Sequence, residues 1–283
     1  MRLARHGRGP HAAITAVASQ IHPVFMLPPI AASWFGAMLT GEFVLSLAAI
    51  HSVAIFAAVY TAHVKDGYVD FYRRGEDEDH PLTERGCRIC LVGATALFAG
   101  TMVLLWSLVD GVAVLLTLPC WLIAYHHAPQ LDMHPVGVTL GYPTGIALAI
   151  LGGYYVQAMG LSGLPIAFAV VFLLLIAGVK VIDDEQDYAY DRSIDKPTVA
   201  VLAGIRRARW VAALAMVLAL AAVPAFVLVG IFPAGTLLAA GAFAGVLMLA
   251  APAPPETATA LLIRGSYVFL GLLVAAVWFQ PFS

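Results

Sequence analysis

The sequence predicts an all-α, polytopic membrane protein. Of its 283 residues, 61% are hydrophobic and only 11% are charged, and the mean hydropathy is +0.88. Ordinary soluble domains carry about 25% charged residues, so this composition excludes that class. Apolar runs of about 20 residues can cross a bilayer as helices, and such runs recur along the whole chain. The basic residues are clustered between the runs, which is typical of a membrane protein with a defined orientation.

Nine apolar runs are candidate membrane-spanning helices. Residues 1–18 precede them as a basic cytoplasmic leader, and residues 19–283 form a single transmembrane domain. Pro28 and Pro29 predict a kink in the first span. The predicted spans are residues 19–39, 43–64, 87–108, 110–126, 137–157, 163–182, 208–230, 233–251 and 259–279.

The basic clusters predict how the chain crosses the membrane. Arg2, Arg5 and Arg8 precede the first span, and the other clusters lie mainly between spans 2 and 3 and between spans 6 and 7. With a cytoplasmic N-terminus, alternation of the spans puts all 15 Lys and Arg on or near the cytoplasmic side, as the positive-inside rule requires. We therefore expect a multi-pass protein of the cell membrane whose N-terminus faces the cytoplasm.

A stripe of acids follows the sixth span. Asp183, Asp187 and Asp191 recur every four residues, so on a continued helix their carboxylates share one face. Like charges on one face repel each other, and a bound cation would relieve that repulsion. Carboxylate oxygens are the ligands that suit Mg²⁺. The spacing therefore predicts a Mg²⁺ site at the end of this span.

A related pattern follows the second span. Asp66 and Asp70 are also four residues apart, and each acidic segment leads into a polar loop with a proline and basic residues. Four spans separate the two segments, which predicts two parallel four-helix repeats followed by a ninth helix. Both segments then face the cytoplasm and share one cavity. The expected metal ligands are Asp66, Asp70, Asp183, Asp187 and Asp191.

This combination of charges suits a pyrophosphate group. Mg²⁺ neutralises phosphate oxygens, Arg and Lys donate hydrogen bonds, and together they stabilise the charge that develops on departing pyrophosphate. An apolar cavity open to the membrane beside that site would accommodate a long isoprenoid tail. The expected chemistry is ionisation of an allylic diphosphate, followed by capture of the carbocation by a nucleophile.

The motifs resemble those of the UbiA superfamily of intramembrane prenyltransferases. That family has nine helices, a first motif NDxxDxxxD after helix 2, and a second motif, often NDIRDxxGDR, after helix 6. Residues 183–192, DDEQDYAYDR, are similar to the second motif, and Asp66 and Asp70 match the first. Ala62 and His63 stand where the first motif usually has Asn and Asp. The resemblance covers essentially the whole chain.

The resemblance implies Mg²⁺-dependent transfer of a polyprenyl group from its diphosphate to an aromatic quinone precursor or a lipid acceptor. Residues 125–129 and 145–157 look like the menaquinone-type, dihydroxynaphthoate branch. The implied partners are prenyl diphosphate, a hydrophobic acceptor and membrane lipid, but no nucleic acid. The expected catalytic residues are Asp66, Asp70, Asp187 and Asp191. The expected substrate-binding residues are Lys65, His80, Arg85, Arg192 and Lys196 for the diphosphate and Tyr125, His126, Tyr154 and Tyr155 for the acceptor.

Two other functions are compatible with the same acids. An intramembrane terpene cyclase would use the same ionisation without an acceptor, and the replacement of motif residues by Ala62 and His63 motivates it. A cation transporter would use the carboxylates along its pathway. Transport sites usually lie near the bilayer midplane, whereas these acids lie at helix ends, which favours the prenyltransferase.

Overall fold

The computed structural model describes residues 2–280, so the outer ends of the predicted leader and domain, Met1 and residues 281–283, lie outside the described residues. The described chain is helical, which confirms the all-α class, and an isolated bridge pairs Ala4 with Leu82. The helices are α1 (Gly9–Ala18), α2 (Pro23–Met38), α3 (Leu45–Val69), α4 (Glu84–Leu108), α5 (Gly111–Tyr125), α6 (Gly137–Ala158), α7 (Gly163–Asp183), α8 (Tyr188–Ser193), α9 (Val199–Ala203), α10 (Ile205–Leu228), α11 (Thr236–Ala250) and α12 (Pro255–Phe279).

Five of the described helices are long and apolar enough to cross a membrane, namely α3 with its continuation, α4, α7, α10 and α12. Helices α1 and α2 add a sixth span if this pair, bent by 65°, counts as one. Helices α5 and α11 are apolar but have 15 residues each. The polytopic class is therefore confirmed. The count of nine spans stays a prediction, although each predicted run overlaps one of the helices given above.

The first acidic segment lies within a helix. The predicted span ends at residue 64, but α3 runs on to Val69, and a π-helical turn continues it to Arg74. Asp66 is therefore a helical residue, and Asp70 begins the π-helical turn.

The second acidic segment does not form one continued helix, so the predicted stripe on a single helical face is wrong. Helix α7 ends at Asp183, and α8 begins only at Tyr188. The C-terminus of a helix carries partial negative charge, which disfavours further carboxylates there. Three consecutive acids, Asp183, Asp184 and Glu185, lie where α7 ends.

Glycines bring α2 and α6 into direct contact. A Cβ atom added to Gly36 would lie 2.1 Å from the Ile150 carbonyl oxygen, and one added to Gly153 would lie 2.1 Å from the Ser33 carbonyl oxygen. Small residues allow helices to approach this closely in lipid. Helix α6 also packs on α7, which packs on α10 and α12, so these helices form one bundle.

The N-terminal segment is fastened to the loop between α3 and α4. The Thr83 N–H donates to the Leu3 carbonyl at 2.8 Å, and the Arg5 N–H donates to the Pro81 carbonyl at 2.9 Å. The Arg5 guanidinium lies 4.3 Å from the centroid of the Phe71 ring. The N-terminal segment therefore supports the loop that follows the first acidic segment.

Candidate active site

The two acidic segments meet at one end of the bundle. The Tyr190 hydroxyl on α8 donates a hydrogen bond to a Glu76 carboxylate oxygen at 2.7 Å, across a sequence separation of 114 residues. The Glu76 N–H donates to the Asp70 carbonyl at 2.9 Å. Burial, the Glu76 carboxylate and, more weakly, the Asp70 carboxylate raise the pKa of the Tyr190 hydroxyl. The loop after the first segment is thus joined directly to the second segment.

Within the first segment, Arg74 holds two carboxylates. Its guanidinium lies 3.1 Å from Asp70 and 2.7 Å from Asp132, a residue in the connection between α5 and α6. One Asp132 oxygen is buried and has no hydrogen-bond partner within residues 2–280. Asp66 is more open, with 40% of its side chain exposed, and one of its carboxylate oxygens lies 3.9 Å from His127 Nε2.

In the second segment, two lysines hold three carboxylates. The Lys180 ammonium lies 3.3 Å from Asp183 and 2.5 Å from Asp184. The Lys196 ammonium lies 3.2 Å from an Asp191 oxygen. Burial raises the pKa of Asp184 and of Asp191, although the nearby ammonium groups act in the opposite direction. The ionised forms of both carboxylates therefore need cations close by.

Asp187 differs from the other acids of its segment because it is exposed. It precedes α8, and its side chain makes no capping hydrogen bond. Nothing cationic pairs with its carboxylate in the part of the chain that the structure describes. Asp187 is therefore available to an external cation.

The acids fit Mg²⁺ through their chemistry rather than through a preformed cage. No group of three or more His, Cys, Asp or Glu among the described residues has an arrangement that could hold a metal ion. Mg²⁺ usually keeps several waters and binds through one or two carboxylates together with substrate phosphates. Asp184 and Asp191 have buried oxygens without hydrogen-bond partners in the described chain, and Asp187 is open, so such carboxylates are present.

Lys65 and Tyr125, both predicted to bind substrate, lie together. The Lys65 ammonium donates to the Tyr125 carbonyl and, at 3.3 Å, to Gln130. It also lies 4.1 Å from the centroid of the Tyr125 ring. The exposed His126 ring packs edge-on against Tyr125 at 5.4 Å. These residues form a polar and aromatic group at the end of α5.

His80 lies beneath the loop and is only 3% exposed. Its Nδ1 accepts a hydrogen bond from the Leu82 N–H at 3.2 Å. A Cβ atom on Gly67 would lie 2.8 Å from His80 Nε2, so the ring packs against α3 next to Asp66. The predicted histidine is thus near the first segment, but it is covered.

The two arginines predicted to bind diphosphate lie in different places. Arg192 is exposed on α8, next to Asp191, and its guanidinium lies 3.3 Å from the Tyr188 hydroxyl. Arg85 is exposed on α4, in a shallow pocket with Arg88 and apolar side chains. The structure does not bring Arg85 to either acidic segment.

Tyr154 and Tyr155, which the sequence analysis assigns to the acceptor, lie at the opposite end of the bundle from the acidic segments. The Tyr155 hydroxyl donates to Asp110, which precedes α5, at 2.7 Å, and the Tyr154 hydroxyl lies 3.2 Å from Ser162. Helix α6 starts at Gly137, at the acidic end, and rises about 1.5 Å per residue, which puts Tyr154 about 25 Å further along. The resemblance of this stretch to a family pattern did not indicate how far from the acidic end of the bundle its residues lie.

Two tyrosines that the sequence analysis did not select donate hydrogen bonds to neighbouring backbone carbonyls at the start of α2. The Tyr142 hydroxyl donates to the Phe25 carbonyl at 3.1 Å, and the Tyr267 hydroxyl donates to the Val24 carbonyl. Single tyrosines in apolar helices give no periodic signal, so these residues could not be distinguished in the sequence.

The replaced motif residue His63 also has a specific partner. Its ring stacks on His22 with centroids 4.8 Å apart and an interplanar angle of 21°.

The sequence did contain a signal for two other site residues, Arg74 and Lys180. Each is four residues from an aspartate, Asp70 or Asp184, which is the spacing of helical ion pairs.

The fold and the site define a class, the polytopic helical membrane proteins with two acidic segments at one end of the bundle. No protein-family model matches the sequence, and no curated protein matches it. Several solved structures are similar. A UbiA homologue from Aeropyrum pernix has a TM-score of 0.75 and 17% identity, covering 90% of this chain and 98% of that chain. This chain therefore has the fold of the UbiA homologues.

Two further structures have the same fold. A digeranylgeranylglyceryl phosphate synthase has a TM-score of 0.70 and 12% identity, covering 94% of this chain and 96% of its own. A UbiA homologue from Archaeoglobus fulgidus bound to GPP and Mg²⁺ has a TM-score of 0.65 and 14% identity, covering 94% and 99%.

Proposed function

We propose that this chain is a UbiA-type, Mg²⁺-dependent intramembrane prenyltransferase. It moves a polyprenyl group from polyprenyl diphosphate to an aromatic quinone precursor or a lipid acceptor and releases pyrophosphate. The observation that carries the proposal is the meeting of the two acidic segments through Tyr190 and Glu76 at one end of an apolar bundle. The similar Archaeoglobus fulgidus structures, one with GPP and Mg²⁺ and one with DMAPP and Mg²⁺, support it.

The proposal includes the topology inferred above. The chain crosses the cell membrane nine times, as two parallel four-helix repeats and a ninth helix, and the N-terminus and the site face the cytoplasm. The overlap of the helices with the nine apolar runs supports this arrangement.

When bound, Mg²⁺ supplies charge neutralisation for the diphosphate and for the leaving pyrophosphate. The residues that would hold it are Asp66, Asp70, Asp183, Asp187 and Asp191. Lys180 and Lys196 keep the buried carboxylates of the second segment ionised, because an unpaired buried carboxylate takes up a proton instead. The ammonium of Lys196 has three donors, so it can contact Asp191 and a diphosphate oxygen together, beside Arg192.

The residues at the end of α5 suit the acceptor side. Tyr125 and His126 present aromatic surface, and Lys65 lies over the Tyr125 ring. We assign Lys65 to the diphosphate and the two rings to an aromatic acceptor, as in the menaquinone-type branch. The apolar helices below exclude water, which would otherwise capture the carbocation.

The experiment that tests the proposal is Mg²⁺-dependent release of pyrophosphate from geranylgeranyl diphosphate by the purified protein, with a panel of quinone precursors and lipid alcohols. We expect release with one acceptor class, and we expect Asp187→Asn to lower the rate at least about 100-fold. Asp195→Asn is the matched control. It removes the same charge three residues beyond the segment, and Asn tolerates the positive φ of 54° at this position.

Two results would contradict this assignment. Full activity of Asp187→Asn would remove the second acidic segment from the reaction. Release of pyrophosphate without any acceptor, together with a cyclic hydrocarbon or alcohol product, would identify a terpene cyclase instead.

A further inference from the structure

A groove of about 560 Å³ lies between α7, α10, α11 and α12. This volume is within the range of small-molecule pockets, about 300–1,000 Å³. Ile182 and Glu185 line its wall, but none of the five aspartates assigned to Mg²⁺ does. The groove is therefore a neighbour of the candidate active site and not part of it.

The groove has a charged end, the lip, formed by Glu185, Arg206 and Arg209. Its apolar floor includes Ala213, Met216 and Leu262. Arg206, Arg209, Ala213 and Met216 line it from α10. Their spacing of three, four and three residues puts them on one face of that helix, so the lining changes from charged to apolar over about 15 Å. Leu262 of α12 continues the apolar surface opposite. Such a gradient suits a ligand with a polar head and a long apolar chain.

The lip has an excess of positive charge. Arg209 makes two hydrogen bonds to Glu185, at 2.8 and 2.6 Å. Arg206 is exposed and pairs with nothing within residues 2–280. It also lies in the first turn of α10, where no acidic side chain and no side-chain cap balance the positive end of the helix. Two arginines therefore face one carboxylate, and an anionic group would complement them.

We propose that this groove binds an anionic phospholipid, with the headgroup phosphate at Arg206 and the free face of Arg209 and an acyl chain along the apolar floor. Basic pockets between transmembrane helices bind anionic headgroups in this way. Trp210 at the lip is 71% exposed, as is typical of tryptophan at the level of the headgroups. Arg209 also holds Glu185 of the second acidic segment, so the lipid contacts the outside of that segment. This site does not depend on the reaction proposed above.

The test uses the full-length protein in detergent, with dioleoyl phosphatidylglycerol and, as the zwitterionic comparison, dioleoyl phosphatidylcholine. Native mass spectrometry measures the lipid bound at each concentration. We expect phosphatidylglycerol to bind at least about fivefold more tightly, and Arg206→Gln to weaken it about fivefold. The matched control is Arg207→Gln, which removes the next charge along α10 but lies outside the groove lining.

A second variant tests the apolar floor. Ala213→Trp fills the groove and is expected to abolish retention of phosphatidylglycerol; if this variant does not fold, Ala213→Leu replaces it. Retained binding in a folded variant overturns the proposal. Equal weakening by Arg206→Gln and Arg207→Gln overturns it as well, because it indicates diffuse surface attraction. Arg206-dependent stabilisation by inorganic phosphate, without tighter binding of the lipid, would identify an anion site that takes no lipid.

Discussion

The Lys180 ammonium lies between two carboxylates of the second acidic segment, 3.3 Å from Asp183 and 2.5 Å from Asp184. The Asp184 side chain is only 2% exposed. A charge in such a position is costly unless a partner compensates it. Lys180 therefore has a structural task, which is to stabilise an ionised carboxylate at the point where α7 ends.

Replacement of Lys180 tests this role. We expect Lys180→Met to lower the free energy of unfolding by about 3 kcal/mol, because it leaves Asp184 buried and unpaired. The double variant Lys180→Met with Asp184→Asn should recover most of that loss, since the uncompensated charge is gone. Denaturant unfolding in detergent measures both. If Lys180→Met unfolds like the unmodified protein, the ion pair contributes nothing to stability.

At the scale of elements, the important link joins α8 to the loop after α3. Tyr190 and Glu76 share a hydrogen bond of 2.7 Å, and the N-terminal segment contacts the same loop through the Leu3–Thr83 and Arg5–Pro81 backbone hydrogen bonds. The two acidic segments are therefore not positioned independently of each other. The loop after α3 contacts both of them.

A double-mutant cycle measures this link. Tyr190→Phe and Glu76→Ala should each lower stability by about 1 kcal/mol, and the double variant should lose little more, because each change breaks the same hydrogen bond. Thermal unfolding of the four proteins gives the coupling energy. Tyr188→Phe serves as a control on the same helix, where the hydroxyl accepts from the exposed Arg192. Fully additive losses would show that the two residues are not coupled.

At the scale of the whole molecule, close packing brings the backbones of α2 and α6 into contact. The Cβ positions of Gly36 and Gly153 are each taken up by backbone oxygen of the other helix, at 2.1 Å. A backbone oxygen cannot rotate away as a flexible side chain can. An added methyl group there must separate the helices.

Two alanine substitutions on α6 distinguish this contact from ordinary helix propensity. Gly153→Ala should lower the free energy of unfolding by roughly 1–3 kcal/mol through overpacking. Gly145→Ala has open space at its Cβ position and should be neutral or stabilising by up to about 1 kcal/mol, as for Gly to Ala in a helix interior. Unfolding in detergent compares them. Equal effects at both positions would exclude the close contact as the cause.

Much of the fold could be predicted from local pattern. Apolar runs of sufficient length indicate helices regardless of their neighbours, so the predicted run 163–182 and the observed Gly163–Asp183 nearly coincide. The acidic segments were recognised because their spacing is local as well. The assignment of Tyr154 and Tyr155 to the site was different, since it needed their depth in the bundle, which no residue pattern encodes.

The sequence by itself determined the helical class, the membrane setting and the identity of the two acidic segments, because composition and short-range periodicity carry all three. Only the tertiary structure decided which charges far apart in the sequence compensate each other. Arg74 reaches Asp132, which is 58 residues away, and Arg209 reaches Glu185 from another helix. Such pairs depend on how the helices are arranged in space. Long-range packing therefore leaves Asp187 open, covers His80, and forms the groove beside the second segment.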